Sequence, residues 1–173
     1  AGCLEMLRAA GKLGIDLPWA QLFGLLQTAG MQVAPLAQTG LRGLAACGTL
    51  WFAWRMHRGL SPQRAAFHLY AVAACYLMLF NPRSENNTYA LLAPAMGALC
   101  AEEFLVRRNF GRGALLATLA LGTVGSFEFG SFLLPEAEPV WLAPLMCLVF
   151  TAYLVRQIAD ELREPDLEAG GVS

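Results

Sequence analysis

Phe80-Asn81-Pro82-Arg83-Ser84-Glu85-Asn86-Asn87-Thr88-Tyr89 sets an arginine, an acid and a run of amides and hydroxyls between two long apolar segments, about 65–80 and 88–106. The flanks are mostly Leu, Ala, Val, Phe, Met and Cys, so a single polar loop separates two stretches that read as buried in lipid or core. Composition decides between the two. The chain is 57% apolar and only 14% charged, whereas a soluble domain carries roughly a quarter charged residues. That balance predicts an all-α, multi-pass transmembrane protein. The net charge of −1 supplies no basic field for nucleic acid.

Outward from the loop, five apolar runs are legible, at about 41–55, 65–80, 88–106, 114–134 and 139–156. A straight crossing of the hydrocarbon core takes about 20 residues. The last three runs are long enough, and the first two borrow flanking residues such as Thr39, Gly40 and Gln63. Arginine tests the arrangement. Arg55, Arg58 and Arg64 fall after the first run, Arg107, Arg108 and Arg112 after the third, and Arg156 and Arg163 after the fifth. The alternate loops hold Arg83 alone, or Pro135-Glu136-Ala137-Glu138 with no base. Basic residues therefore alternate sides as the positive-inside rule expects, with Arg42 the exception.

The resulting plan is an exoplasmic segment 1–40, a transmembrane domain 41–157 and an acidic cytoplasmic tail 158–173, with loop 81–87 exoplasmic in a cell membrane. Within 1–40, Trp19, Leu22, Phe23, Leu25 and Leu26 recur at helical spacing, with Pro18 suited to the first turn and Gly30 and Pro35 marking the end. This amphipathic helix either lies in the membrane interface or packs on the remaining protein. The chain starts at Ala1 and its first apolar run begins only near Leu41, which reads as the C-terminal part of a longer protein.

The polar loop is also the best candidate site. Asn81-Pro82 stops one helix, and Ser84, Asn86, Asn87 and Thr88 are good caps for the next. A helix start at a membrane surface presents free N–H groups to anions. Arg83 adds a planar cation suited to phosphate, Asn86 and Asn87 offer donors, and Tyr89 offers an aromatic face. The plain alternative is a well-capped turn with Arg83 paired to Glu85. Glu128 is an acid inside an apolar run, on the same side as Arg83, and such acids mark function by default; an interfacial acid reaching water is the alternative. Glu102 and Glu103 read as structural partners of Arg107 and Arg108, with Glu103 and Arg107 in the favourable i,i+4 order. Pro94 predicts a kink, and Ala93, Ala95, Gly97 and Ala98 predict close helix approach. Cys3, Cys47, Cys75, Cys100 and Cys147 lack any metal or redox spacing, and with His57 and His68 isolated no metal or cofactor is expected.

Asn81 to Ala95 resembles a segment of glycosyltransferase family 87, multi-pass transferases of the GT-C class related to polyprenol-phosphate-mannose-dependent mannosyltransferases. Members of that family carry a loop of the type N-P-R-[ST]-E-x-N-x-Y leading into an L-x-x-P helix. Asn81, Pro82, Arg83, Ser84, Glu85, Asn87, Tyr89, Leu91 and Pro94 fill those places here. Ala20-Gln21-Leu22-Phe23-Gly24-Leu25-Leu26 also looks like the segment preceding the corresponding span. The resemblance implies hexosyl or mannosyl transfer from a polyprenyl-phosphate-linked sugar donor to a glycolipid or glycan acceptor at the exoplasmic face. It puts Arg83, Glu85, Asn86, Asn87 and Tyr89 on the donor's phosphate or sugar, with Arg83 steadying the leaving lipid phosphate. It also places the catalytic acid in a first exoplasmic loop that no stretch of this chain matches, so the chain alone is expected to bind rather than to catalyse. A transporter or flippase fragment, or a non-catalytic membrane scaffold, is the competing expectation.

Overall fold

A computed structural model describes residues 21–81, 86–133 and 141–163, apart from a few side chains within them. Among these residues every regular element is helical. Helix α1 spans Leu22–Thr28, α2 Pro35–Gly59, α3 Pro62–Phe80 and α4 Ala93–Ala101. A 3₁₀ helix, Asn86–Leu92, leads into α4, and a π-helical turn, Glu102–Val106, leaves it. Helices α5 (Phe110–Val124), α6 (Ser126–Leu133) and α7 (Leu142–Arg163) complete the bundle.

Local chemistry sets most boundaries. Gly30, at φ +80°, ends α1 in a left-handed turn in which Gly30 N–H donates to Gln27 O and Met31 N–H to Leu26 O. Pro35 then opens α2 instead of closing the preceding stretch, because a proline at the first helical position gives up only an N–H that has no helical acceptor. Pro62 opens α3 in the same way, leaving a two-residue connection, so Arg64 lies inside α3. Asn109 caps α5 by accepting from the Arg112 N–H at 3.1 Å.

Two expected continuous spans are subdivided. Pro94 sits in the first turn of α4 with 3₁₀ backbone before it, so the predicted kink is a change of helix type. The fourth run breaks at Gly125, between α5 and α6. At the C-terminus the helix continues past the expected end at 156 to Arg163, taking in Glu161 from the stretch assigned to the tail.

Helix α7 is central, touching α1, α2, α3, α5 and α6. The core gathers Met78, Tyr89, Leu92, Met96, Leu99, Leu116, Phe150 and Leu154. The amphipathic α1 packs on the protein through buried Phe23, whose ring meets Phe80 edge-on at 6.3 Å. The exterior is also apolar, with Leu36, Leu44, Leu50, Trp51, Leu77, Leu105, Leu121 and Phe132 all exposed. Two stretches, Thr88–Val106 and Leu142–Arg163, are long and apolar enough to cross a membrane. Polar residues such as Gln38, Thr39, Arg42 and Thr49 dilute α2, and Gly125 shortens the fourth run.

Candidate functional site

The bundle has two polar ends. One is a network of ionised side chains joining α3, the π turn and α7. Arg64 and His68 are one turn apart on α3, and Tyr153, Gln157 and Glu161 fall on successive turns of α7. The π turn inserts an extra residue into the helical register, and both Glu102 and Glu103 engage the network. Arg64 donates to Glu102 from Nη1 (2.7 Å) and Nη2 (2.9 Å), and to Glu161 from Nη2 (2.6 Å) and Nε (3.1 Å). Arg107 donates to Glu102 Oε1 from Nε at 3.1 Å and Nη2 at 2.9 Å. The expected Glu103–Arg107 pair is present but longer, at 3.7 Å.

Fully buried His68 places Nε2 2.8 Å from Glu161 Oε2, and the Tyr153 hydroxyl donates to buried Glu103 at 3.1 Å. At Arg107, just past the π turn, burial is outweighed by the hydrogen bonds it donates to Glu102, and the net direction of its pKa is upward. Both Glu161 oxygens are engaged by donors, so this carboxylate is a clasp between segments rather than a free base.

The other end holds the sequence motif. Arg83 and Glu85 lie outside the described residues, as do the side chains of Asn86, Asn87 and Glu128. Tyr89 is fully buried, and its hydroxyl donates to Met78 O at 3.1 Å. The ring therefore anchors the 3₁₀ helix to α3 from beneath and has no face open to a ligand. Tyr70 on α3 makes a parallel tie, its hydroxyl donating to Leu91 O at 2.6 Å. Together these bonds fix the 3₁₀ helix that follows the loop against α3.

Arg42 belongs to this same end, and sequence reasoning set it aside as an exception to charge alternation. Its guanidinium stacks over Phe23, 5.0 Å from the ring centroid, and Phe23 meets Phe80, the neighbour of Asn81. The signal in the sequence was the exception itself, a base where the membrane rule disfavours one. Also toward this end, α5, α6 and α7 border an open apolar cavity of about 770 Å³ lined by Leu121, Phe129, Phe132, Leu142 and Met146 among others. No group of three or more potential metal ligands occurs among the described residues.

Comparison with known proteins finds no matching family model, no matching curated protein and no matching solved structure.

Proposed function

We propose that this chain is a membrane-embedded, donor-binding part of a glycosyltransferase that uses a polyprenyl-phosphate-linked sugar at the exoplasmic face. The observation that carries the reading is where the flanks of the Asn81–Ala95 motif sit. Asn81 follows α3, and the ionised network at the opposite end begins with Arg64 in the first turn of that helix. At about 1.5 Å per residue the stretch from Arg64 to Asn81 spans roughly 25 Å, comparable with the ~30 Å thickness of a hydrocarbon core. Between the two ends the bundle is apolar outside as well as inside, and an exposed apolar surface of this extent calls for a lipid or protein covering. Five membrane crossings follow if α2, α3, the Asn86–Val106 segment, α5 with α6, and α7 all traverse the bilayer.

On this reading Arg83 meets the lipid phosphate as a charge-assisted donor. The cavity between α5, α6 and α7 offers an apolar lining for the isoprenoid chain. Tyr89 holds the loop's helical flank in place. The carboxylate that activates the acceptor hydroxyl belongs elsewhere, in the exoplasmic loop the resemblance implies.

The test is Arg83→Ala in the intact protein in its membrane, assayed for sugar transfer from a polyprenyl-phosphate donor. Transfer is expected to fall about 100-fold or more, the scale seen when one stabilising donor is removed from a developing anion, with membrane insertion unchanged. Undiminished transfer sinks the phosphate role.

A further inference from the structure

Arg42 has no hydrogen-bond acceptor for its buried Nε–H, one of six buried side-chain polar atoms without partners among the described residues. His68 Nδ1, Glu103 Oε2 and Gln157 Oε1 lie in the ionised network, whereas Arg42 Nε, Gln21 Oε1 and Trp141 Nε1 belong to the end of the bundle that carries the motif. Gln21 precedes α1, Arg42 lies in the second turn of α2, Trp141 precedes α7, and α1 packs directly against α7. Among the described residues Arg42 forms no ion pair; its one recorded partner is the face of Phe23. A buried guanidinium N–H left unsatisfied is costly, because it loses hydration without a replacement. Two of the three orphans, Arg42 Nε–H and the Trp141 indole N–H, can act only as donors. An anionic oxygen would satisfy donors of this kind.

The other arginines at helix ends have different fates. Arg64 and Arg107 are neutralised by carboxylates, while Arg55 and Arg58 lie exposed over Trp51 and Trp54. Arg42 alone of these five combines a cation, a buried free donor and a seat on Phe23, the ring that meets Phe80.

We propose that Arg42 is a binding residue for the phosphate of a membrane lipid at this end of the bundle, its guanidinium held in position by stacking on Phe23. The proposal rests on the membrane-embedded donor-binding reading, and it adds a second cation, besides the one proposed for Arg83, to the end of the bundle that carries the motif. Two sources share this chemistry, the polyprenyl-phosphate donor and a bulk anionic phospholipid.

The experiment measures binding of undecaprenyl phosphate and, separately, of phosphatidylglycerol to the full chain in phosphatidylcholine nanodiscs, comparing native protein with Arg42→Gln and Arg42→Lys. Loss of one charge-assisted hydrogen bond corresponds to binding weakened about 10- to 100-fold for Arg42→Gln. Arg42→Lys is expected to recover part of that loss, since it restores charge without the planar fork. Weakening confined to undecaprenyl phosphate assigns the site to the donor, and weakening of both lipids assigns it to headgroups generally. Native-like binding of both lipids by a folded Arg42→Gln overturns the proposal. Arg83→Ala sugar transfer is read independently, so a failed transferase reading leaves the Arg42 result interpretable.

Discussion

Glu161 joins more of the molecule than any other single side chain described, because Arg64, His68, Arg107 and Gln157 all converge on its two oxygens. Removing one partner from a buried ion pair costs about 3–5 kcal/mol, and partial exposure reduces that. Glu161→Gln is expected to destabilise the protein by about 2–4 kcal/mol in detergent unfolding. Arg156→Gln removes the exposed Arg156–Asp160 pair at 4.0 Å and is expected to change stability by less than about 0.5 kcal/mol. Equal effects would mean the network is no stronger than a surface pair. Tyr89→Phe deletes the bond to Met78 O and is expected to cost about 1 kcal/mol. In a transfer or lipid-binding assay its effect is expected to be smaller than that of Arg83→Ala, since the ring stands beneath the loop. At this scale the sequence was informative about residue type more than about partner. Glu102 and Glu103 were legible as structural, yet Arg64 and Glu161 are 97 positions apart, and no local pattern announces such a pair.

Glycines and prolines decide the helical elements, and they divide into two kinds. A Cβ on Gly113 would lie 2.8 Å from the Phe104 ring, at the contact between the π turn and α5. Gly97, expected at a close helix approach, instead has nothing within 4 Å of such an atom. Gly113→Ala is therefore expected to destabilise by about 1–3 kcal/mol through overpacking. Gly97→Ala is expected to stabilise by about 0.5–1 kcal/mol through helix propensity. Parallel unfolding curves check both, and a reversed order would contradict the packing of the π turn on α5. The α3–α7 contact has its own reporter, because the buried Cys147 thiol donates to Cys75 O at 3.9 Å. Mild oxidation of denatured-then-refolded protein with copper phenanthroline is expected to give a Cys75–Cys147 crosslink visible by peptide mapping; a Cys75 or Cys147 crosslinked instead to Cys47 contradicts the packing. Apolar runs and punctuation made most of these helices legible in advance. The break at Gly125 and the π turn were not, since each depends on how a neighbouring helix packs.

At the scale of the whole molecule the question is whether the two polar ends face opposite sides of a bilayer. The alternation of arginine, the ~28 Å length of α3 and the apolar exterior all point the same way. Two segments meet the length and apolarity of a span outright, so α2 and α3 are the elements whose crossing must be measured. Met31 precedes α2 at the motif end and is 52% exposed; Ser61 joins α2 to α3 and Phe110 opens α5 at the network end. In a background with the native cysteines replaced by alanine, single cysteines at these three positions can be labelled with a membrane-impermeant maleimide in intact cells and in inverted vesicles. Met31→Cys is expected to label from outside, and Ser61→Cys and Phe110→Cys only in inverted vesicles. Labelling of Met31→Cys and Ser61→Cys from the same side would show that α2 does not cross. The membrane domain would then lose the hairpin that brings Arg42 to the face carrying the motif, and the phosphate site argued for Arg42 would fall with it.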